Sequence, residues 1–192
     1  MIRKNVAHAL KLFWANARVA AKWDVLIEKA VTLKYVDTLS FGHTCTLQSG
    51  AYIYGSRRGR QVAFGDGVVV AAGCMVLGEG GVAIGAHTHL GPRVVVTTQY
   101  GDSTGEMITG SPRLKVAPVV IGRGSWIGTG AVIMPGTVLG ERCVVAPGSV
   151  VFGVWGDGVT LSGNPARRDR TSFRRSTATA ATPSTSERQA SP

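Results

Sequence analysis

Hydrophobic residues recur at every sixth position through much of this chain. The pattern is clearest between residues 121 and 156, where one phase is held by Ile121, Ile127, Ile133, Leu139, Val145 and Val151. Four residues after each comes a second and mostly small side chain, in the order Ser125, Ala131, Thr137, Cys143, Ser149 and Trp155. A period of six fits neither an α-helix nor plain strand alternation. It predicts an all-β solenoid, a parallel β-helix in which three hexapeptides close each coil.

The same period runs through the first half of the chain with interruptions. Its members there are Phe41, Leu47, Ile53, Phe64, Val70, Val76, Ile84, Leu90 and Val96. The arginine-rich segment GSRRGRQ breaks the phase before Phe64, and the short segment GEGG breaks it again before Ile84. A third interruption follows Val96, and we place an inserted loop at about 101–119. Long loops inside a regular repeat are usually functional.

The N-terminus has a different period. Residues 2–23 predict an amphipathic helix whose apolar face is formed by Ile2, Val6, Leu10, Phe13, Ala17 and Ala20. We assign residues 1–30 to this helical segment and favour a helix that caps the first coil, because repeat folds need their terminal hydrophobic layer covered. The alternative is a peripheral contact with an anionic membrane, since lysines and arginines gather on the opposite side.

Most of the formal charge of +10 lies at the two ends of the chain, with +5 at the first end, +4 at the second and +1 between them. Residues 1–34 carry seven basic and two acidic side chains, and residues 167–192 carry six arginines and two acidic side chains. The basic residues are not interleaved with stacking aromatics and no DNA-binding motif is present, so we expect no nucleic-acid partner. The repeat domain is placed at 31–166, and the Ser/Thr/Arg-rich segment 167–192 is predicted to be a disordered tail.

Two further observations concern location and cysteine chemistry. No signal peptide and no apolar run of about 20 residues is found, which predicts a cytoplasmic protein, or one at the inner face of the membrane. The three cysteines, Cys45, Cys74 and Cys143, fall within hexads and are expected to pack as small apolar side chains without disulfides.

The run from Ile121 to Arg167 resembles the bacterial hexapeptide-repeat acyltransferases. The resemblance is carried by SWIGTGAVIMPGTVLGERCVVAPGSVV and the closing SGNPAR, and is greatest for O-acetyltransferases of sugars and cell-surface polysaccharides. It covers about residues 31–170 and implies a left-handed β-helix, a homotrimer with active sites between subunits, and acetyl-CoA as the donor.

The resemblance also implies where CoA would bind. The residues carried over to the channel are Gly128, Gly130, Ala131, Ala146, Gly148, Asn164, Pro165, Ala166 and Arg167. Small residues suit a channel for the thin pantetheine arm, and arginine suits the CoA phosphates. A turn that leaves no room for a side chain explains each small residue equally well.

The general base is the point at which this chain departs from the family. The resemblance places the family's loop histidine at Gly101, or at Tyr100 if the loop shifts by one, and neither is histidine. The remaining candidates are His87 and His89, which flank an inward-facing Thr88 and should both point outward. Either could be a catalytic base at a subunit interface or a solvated surface residue.

Three polar side chains are candidates for binding the acceptor: Glu79, Tyr100 and Asp102. A solvated turn is the favoured interpretation of Glu79, with an acceptor-orienting carboxylate as the alternative. Tyr100 could donate a hydrogen bond but would be a poor base at its ordinary pKa. The spacing of His87 and His89 does not match the zinc ligands of carbonic anhydrases with this fold, so no metal is expected.

The sequence therefore predicts an acetyl-CoA-dependent O-acyltransferase that acts on a sugar or polysaccharide hydroxyl by direct attack on the thioester. The alternative is a non-catalytic trimeric β-helix, a scaffold or ligand-binding protein without the catalytic histidine.

Overall fold

The described residues form one α-helix, one short 3-10 helix (Val36–Thr38) and a long series of very short strands. The computed structural model describes residues 2–101 and 114–169. Helix α1 spans Ile2–Lys22. The strands are β1 (Val25–Ile27), β2 (Thr32–Lys34), β3 (Leu39–Phe41), β4 (Cys45–Leu47), β5 (Tyr52–Tyr54), β6 (Val62–Phe64), β7 (Val69–Val70), β8 (Met75–Leu77), β9 (Val82–Ile84), β10 (His89–Leu90), β11 (Val95–Thr97), β12 (Gln99–Gly101), β13 (Leu114–Val116), β14 (Val119–Ile121), β15 (Trp126–Ile127), β16 (Val132–Ile133), β17 (Val138–Leu139), β18 (Val144–Val145), β19 (Val150–Val151), β20 (Val154–Trp155), β21 (Thr160–Gly163) and β22 (Ala166–Arg168).

The strands stack into three sheets that run the length of a solenoid. Sheet 1 has the order β1-β4-β7-β10-β15-β18-β21-β22, sheet 2 is formed by β2, β5, β8, β11, β16 and β19, and sheet 3 by β3, β6, β9, β14, β17 and β20. All neighbours pair in parallel except β21 with β22, and consecutive coils are in register, as Leu90, Ile127 and Val145 show. The parallel β-helix predicted from the six-residue period is confirmed.

The core is the column of inward side chains that the period identifies. Ile121, Ile127, Ile133, Leu139, Val145 and Val151 are each at most 1% exposed, and the second series from Ser125 to Ser149 is equally buried. The early members behave in the same way, and Phe41 stacks on Phe64 in the next coil with ring centroids 4.7 Å apart. Because a single coil cannot cover its own apolar face, each coil is stabilised by its neighbours.

The three corners of the coil differ, and each is named by the sheets it joins. Corner 3–1 is short and regular, with a glycine directly after each sheet 3 strand from β3 to β20. A Cβ added to the first five of these glycines would overlap the backbone of the next coil. This glycine ladder consists of Gly42, Gly65, Gly85, Gly122 and Gly140, and Gly156 ends it with open space above. Close stacking of the coils at this corner therefore depends on the absence of side chains.

Corner 2–3 contains all three interruptions of the hexad period. GSRRGRQ connects β5 to β6, GEGG connects β8 to β9, and the third interruption, between β11 and β14, contains the antiparallel pair β12–β13. We call this pair the arm; β13 lies within the inserted loop predicted at about 101–119, whereas β12 begins two residues earlier, at Gln99. Within the described residues, all three interruptions of the six-residue period lie on one edge of the solenoid.

Helix α1 packs on the first coil, and its most buried described side chain, Val19, lies outside the predicted apolar face. Val19 is 4% exposed within the core, and the Asn16 side-chain amide donates to the Val31 carbonyl at 2.9 Å. Leu10 and Phe13, which the sequence pattern assigns to the apolar face, are 53% and 64% exposed. Val19 lies opposite Leu10 because nine residues make two and a half helical turns. Within the described part of the chain, no helix is both long and apolar enough to cross a bilayer.

The ends of the β-helix lie close to the predicted boundaries. Strand β1 pairs with β4, so the solenoid already begins at Val25, before the boundary predicted at residue 31. At the other end β22 folds back on β21 and extends sheet 1 to Arg168. Residues 170–192, which contain most of the predicted tail, lie outside the described residues, as does Asp102 of the predicted acceptor site.

Candidate functional site

Most of the residues that the resemblance assigns to CoA lie along corner 1–2. Gly128 and Gly130 follow β15, Ala146 and Gly148 follow β18, and the Asn164–Pro165 turn joins β21 to β22. The turns stack directly, because the Gly130 N–H donates to the Pro92 carbonyl and the Gly148 N–H to the Thr129 carbonyl, both at 2.9 Å. The structure thus brings together on one edge residues that are up to 37 positions apart.

Each of these small residues also has a structural reason. A Cβ on Gly128 would lie 2.6 Å from the Pro147 nitrogen, and Gly130 has a φ of +68° that side chains disfavour. Ala131 and Ala166 are buried at 0% and 2% exposure, so neither presents an accessible side chain to a ligand. Arg167 is exposed, and its guanidinium donates to the Ala166 carbonyl at 3.0 Å.

The arm is anchored at its base by one buried threonine. The Thr98 hydroxyl donates to the Leu77 carbonyl at 2.7 Å and accepts the Gly80 N–H at 2.8 Å. Across the base, the Ala117 N–H donates to the Thr98 carbonyl at 2.9 Å. These bonds fix the direction in which the arm leaves corner 2–3.

A small apolar cavity lies where the arm leaves the solenoid. It is lined by Tyr100 of β12 and by Met134, Pro135 and Phe152 of the following coils. Tyr100 is 45% exposed. One of the predicted acceptor residues therefore lies on the arm itself, at the same corner as Glu79.

The two candidate histidines lie away from the arm of their own chain. His87 sits at corner 3–1 with a φ of +57°, and its Nδ1 lies over Gly67 of the previous coil. His89 is in the middle of sheet 1, where its ring stacks on Trp126 at 4.3 Å and 5°. Between them Thr88 points inward as predicted, its hydroxyl donating to the Gly122 carbonyl at 3.0 Å. Neither histidine shares a corner with Tyr100 or Glu79.

The environment of His89 favours its neutral form. Partial burial lowers the pKa of the His89 imidazole below its usual value, because burial disfavours the charged form. A neutral imidazole is the form that can accept a proton from a hydroxyl. His89 is therefore a candidate base.

The favoured interpretation of Glu79 as a solvated turn residue is wrong. The Glu79 side chain is 4% exposed, and its carboxylate lies 3.7 Å from Arg57 Nε and 3.5 Å from Arg58 Nε. It also accepts the Arg57 backbone N–H at 3.2 Å. The missed signal was complementary charge: the two arginines precede Glu79 by about one coil, so stacking brings them together.

The cysteines are packed in the core as predicted and have no nucleophilic character. Burial raises the pKa of Cys74 to about 11 and also raises the pKa values of Cys45 and Cys143. Each thiol donates to a backbone carbonyl of the next coil, as Cys74 does to Gly91 at 3.0 Å. All three remain protonated thiols at neutral pH, unlike a catalytic thiolate.

No constellation of three or more His, Cys, Asp or Glu side chains suited to a metal ion occurs within residues 2–101 and 114–169.

Comparison with known proteins identifies the repeat. Residues 118–153, which form most of the last two full coils, match the family model "Bacterial transferase hexapeptide (six repeats)". The chain is 25% identical over 124 residues to a galactoside O-acetyltransferase of Lactococcus lactis, covering 65% of this chain and 58% of that protein. It is 26% identical over 165 residues to WbbJ of Escherichia coli, a putative lipopolysaccharide biosynthesis O-acetyl transferase, covering 82% and 80%.

A similar fold is found in AntD, an N-acyltransferase from Bacillus cereus solved with coenzyme A and a dTDP-sugar. The TM-score is 0.69 at 23% identity, and the match covers 76% of this chain and 79% of AntD. This likeness establishes the fold. The chain spans little more than half the length of the Lactococcus protein. Taken together, the comparisons show that this chain carries the bacterial transferase hexapeptide repeat and that its relatives include a galactoside O-acetyltransferase and a putative lipopolysaccharide biosynthesis O-acetyl transferase.

Proposed function

We propose that this protein transfers an acetyl group from acetyl-CoA to a hydroxyl of a sugar or cell-surface polysaccharide. The observation that carries the proposal is the match of residues 118–153 to the transferase hexapeptide model, in the same coils that present the small residues of corner 1–2. Relatives named as O-acetyltransferases of galactosides and lipopolysaccharide support the reaction and the acceptor class.

The donor would bind along corner 1–2. Turns built on Gly130 and Gly148 present backbone without side chains, so an extended pantetheine arm could approach closely. Asn164, Pro165 and the exposed Arg167 would lie at the end of this edge, where the guanidinium could meet a CoA phosphate. Since all three described cysteines are buried protonated thiols, the acceptor hydroxyl would attack the thioester carbonyl directly rather than through a cysteine.

We propose His89 as the general base, in a trimer. Within one protomer His89 lies on sheet 1 and the arm leaves corner 2–3. In our proposal the arm of a neighbouring subunit approaches His89. Large apolar side chains exposed on the outer faces are consistent with such an assembly; these include Trp126, Val144, Phe152 and Val154. Static light scattering should give a mass of about three times 20.1 kDa.

Acetyl transfer and CoA binding can be tested separately. We expect thiol release from acetyl-CoA in the presence of an acceptor glycan, and CoA alone should raise the melting temperature. Saturation at about 100 times Kd corresponds to about 2.7 kcal/mol, or roughly 5–10 °C for a chain of this size. No thermal response to CoA would contradict the donor assignment.

A non-catalytic scaffold is the second candidate, because the arm carries Tyr100 and Gly101 where the family resemblance places its histidine. Stabilisation by CoA without turnover on any of a panel of glycans would favour this function.

The role of His89 gives a direct prediction. His89→Ala should lower kcat by about 10²–10⁴-fold, the range for loss of a general base. His87→Ala is the matched control and should leave kcat within about twofold, since His87 packs over Gly67 at another corner. Unchanged rates in both variants would remove both histidines from the mechanism.

A further inference from the structure

The segment GSRRGRQ is a rigid loop rather than a loose insertion. Three consecutive backbone donors in it are bound: the Ser56 N–H by the Thr38 hydroxyl at 2.9 Å, the Arg57 N–H by the Glu79 carboxylate at 3.2 Å, and the Arg58 N–H by the Ser56 hydroxyl at 3.1 Å. Ser56 is itself buried and donates to the Glu79 backbone carbonyl at 3.1 Å. The loop backbone is therefore fixed before any ligand arrives.

The Glu79 carboxylate contacts each of the two arginine side chains at its Nε atom. The contacts of the buried carboxylate with Arg57 and Arg58 are made through Nε, at 3.7 and 3.5 Å. Both arginine side chains remain 58% exposed. One carboxylate thus orients two guanidinium groups and leaves much of each in contact with solvent, where planar donors can bind an anion in a forked geometry.

The loop has an excess of positive charge. Arg60 is also exposed, so the loop carries three arginines, and the buried Glu79 carboxylate contacts only Arg57 and Arg58 among them. Asp37, the acidic side chain at the same corner one coil earlier, lies 3.5 Å from Arg18 of helix α1. Lys34, on the adjoining strand β2, lies over the Tyr52 ring at 5.6 Å.

The arginine loop is physically linked to the base of the arm. Glu79 belongs to the coil between them, and its neighbour Gly80 donates to the Thr98 hydroxyl at 2.8 Å. Coils in a β-helix are separated by the strand spacing of about 4.8 Å, so two coils place the loop roughly 10 Å from the arm. A sugar that carries a phosphate or diphosphate group can span that distance.

We propose that Arg57, Arg58 and Arg60 form a phosphate-binding site for the acceptor, so that the acceptor is a sugar phosphate or a sugar linked through a diphosphate. The inference rests on the proposed function for the identity of the acceptor, while the anion site itself rests on the loop geometry alone. Glu79 is a positioning residue in this site.

Binding can be measured without CoA or turnover. Isothermal titration with inorganic pyrophosphate and with glucose 1-phosphate should show saturable binding to the full chain. Arg57→Gln/Arg58→Gln should weaken binding about tenfold or more, as expected when hydrogen bonds to charged groups are lost. Arg123→Gln/Arg142→Gln is the matched control, because it removes two exposed arginines at corner 3–1, and should change Kd less than twofold. Equal weakening in both pairs, or no binding by the parent, would overturn the proposal.

The double variant leaves Glu79 buried without its cations and could unfold. The triple variant Arg57→Gln/Arg58→Gln/Glu79→Gln removes the buried charge as well and keeps an amide oxygen for the Arg57 N–H. If the triple variant melts like the parent and has lost pyrophosphate binding, the site is supported; retained binding contradicts it.

Two further experiments identify the source of the phosphate and separate the anion site from the proposed function. Sedimentation with phosphatidylglycerol vesicles tests a lipid headgroup, and binding to vesicles but not to glucose 1-phosphate would overturn an acceptor site. Pyrophosphate binding without any acetyl transfer would contradict the proposed function and leave the anion site standing. Acetyl transfer at equal kcat/KM to glucose and glucose 1-phosphate would support the proposed function and contradict the phosphate-binding site.

Discussion

Replacement of Ile127 by Asp is expected to unfold the β-helix. The Ile127 side chain is 0% exposed and lies in register between Leu90 and Val145 in sheet 1. The change removes about 1.5–3 kcal/mol of apolar burial and adds a buried carboxylate without a cation. Together these are comparable with a total stability of about 5–15 kcal/mol. Loss of the cooperative transition in circular dichroism would be the result.

Two control variants separate burial from charge. Ile127→Val keeps the apolar contact and should cost only about 0.5–1.5 kcal/mol. Thr129→Asp introduces the same charge at an exposed turn two residues away and should melt within a few degrees of the parent. A melting temperature of Ile127→Asp equal to that of Thr129→Asp would mean that this column is not the core.

The second large effect is expected from a single added methyl group. Gly122→Ala would place a Cβ against the carbonyl carbon and oxygen of Gly140 in the next coil. The atoms in the way belong to the backbone, which the hydrogen bonds between coils hold in place. The strain therefore cannot be relieved by rotating a side chain. Overpacking usually destabilises a protein by about 1–3 kcal/mol, and we expect a loss of about 3 kcal/mol or more here. Such a loss lowers the melting temperature by roughly 6–12 °C.

Gly156 provides the matched control for this effect. It ends the glycine ladder at corner 3–1, but nothing lies within 4 Å of its added Cβ, and its φ is not in the left-handed region. Gly156→Ala should therefore be neutral or stabilise by about 0.4–1 kcal/mol, through a less flexible unfolded chain. Similar melting temperatures for the two variants would show that the ladder does not limit coil spacing.

The sequence was sufficient for the fold because the information that specifies it is local and repeated. Each inward residue from Phe41 to Val151 is identified by its phase alone, without knowledge of its neighbours in space. The small residues of corner 1–2 were found by resemblance. With three hexads in each coil, these small residues are expected to lie on the same edge of the solenoid.

What the sequence did not reveal depends on contacts between coils and on the direction of packing. Glu79 lies in the GEGG segment, where the six-residue period is interrupted, so the period does not predict its burial. Its burial depends on the two arginines of the preceding coil. In helix α1 the longer apolar stripe contains Leu10 and Phe13, yet the end of the helix meets the first coil through Asn16 and Val19. The positions of His87 and His89 relative to the arm required the corner order in three dimensions.

The position of all three interruptions of the six-residue period at corner 2–3 has a consequence for protein engineering. Added length at corner 3–1 would separate coils whose backbones already touch through the glycine ladder, so grafted peptides there should prevent folding. Corner 2–3 already accommodates connections as different as GEGG and the arm while the core register continues beyond each of them. New recognition loops can therefore be grafted along that edge, one per coil, on a scaffold whose core need not be redesigned.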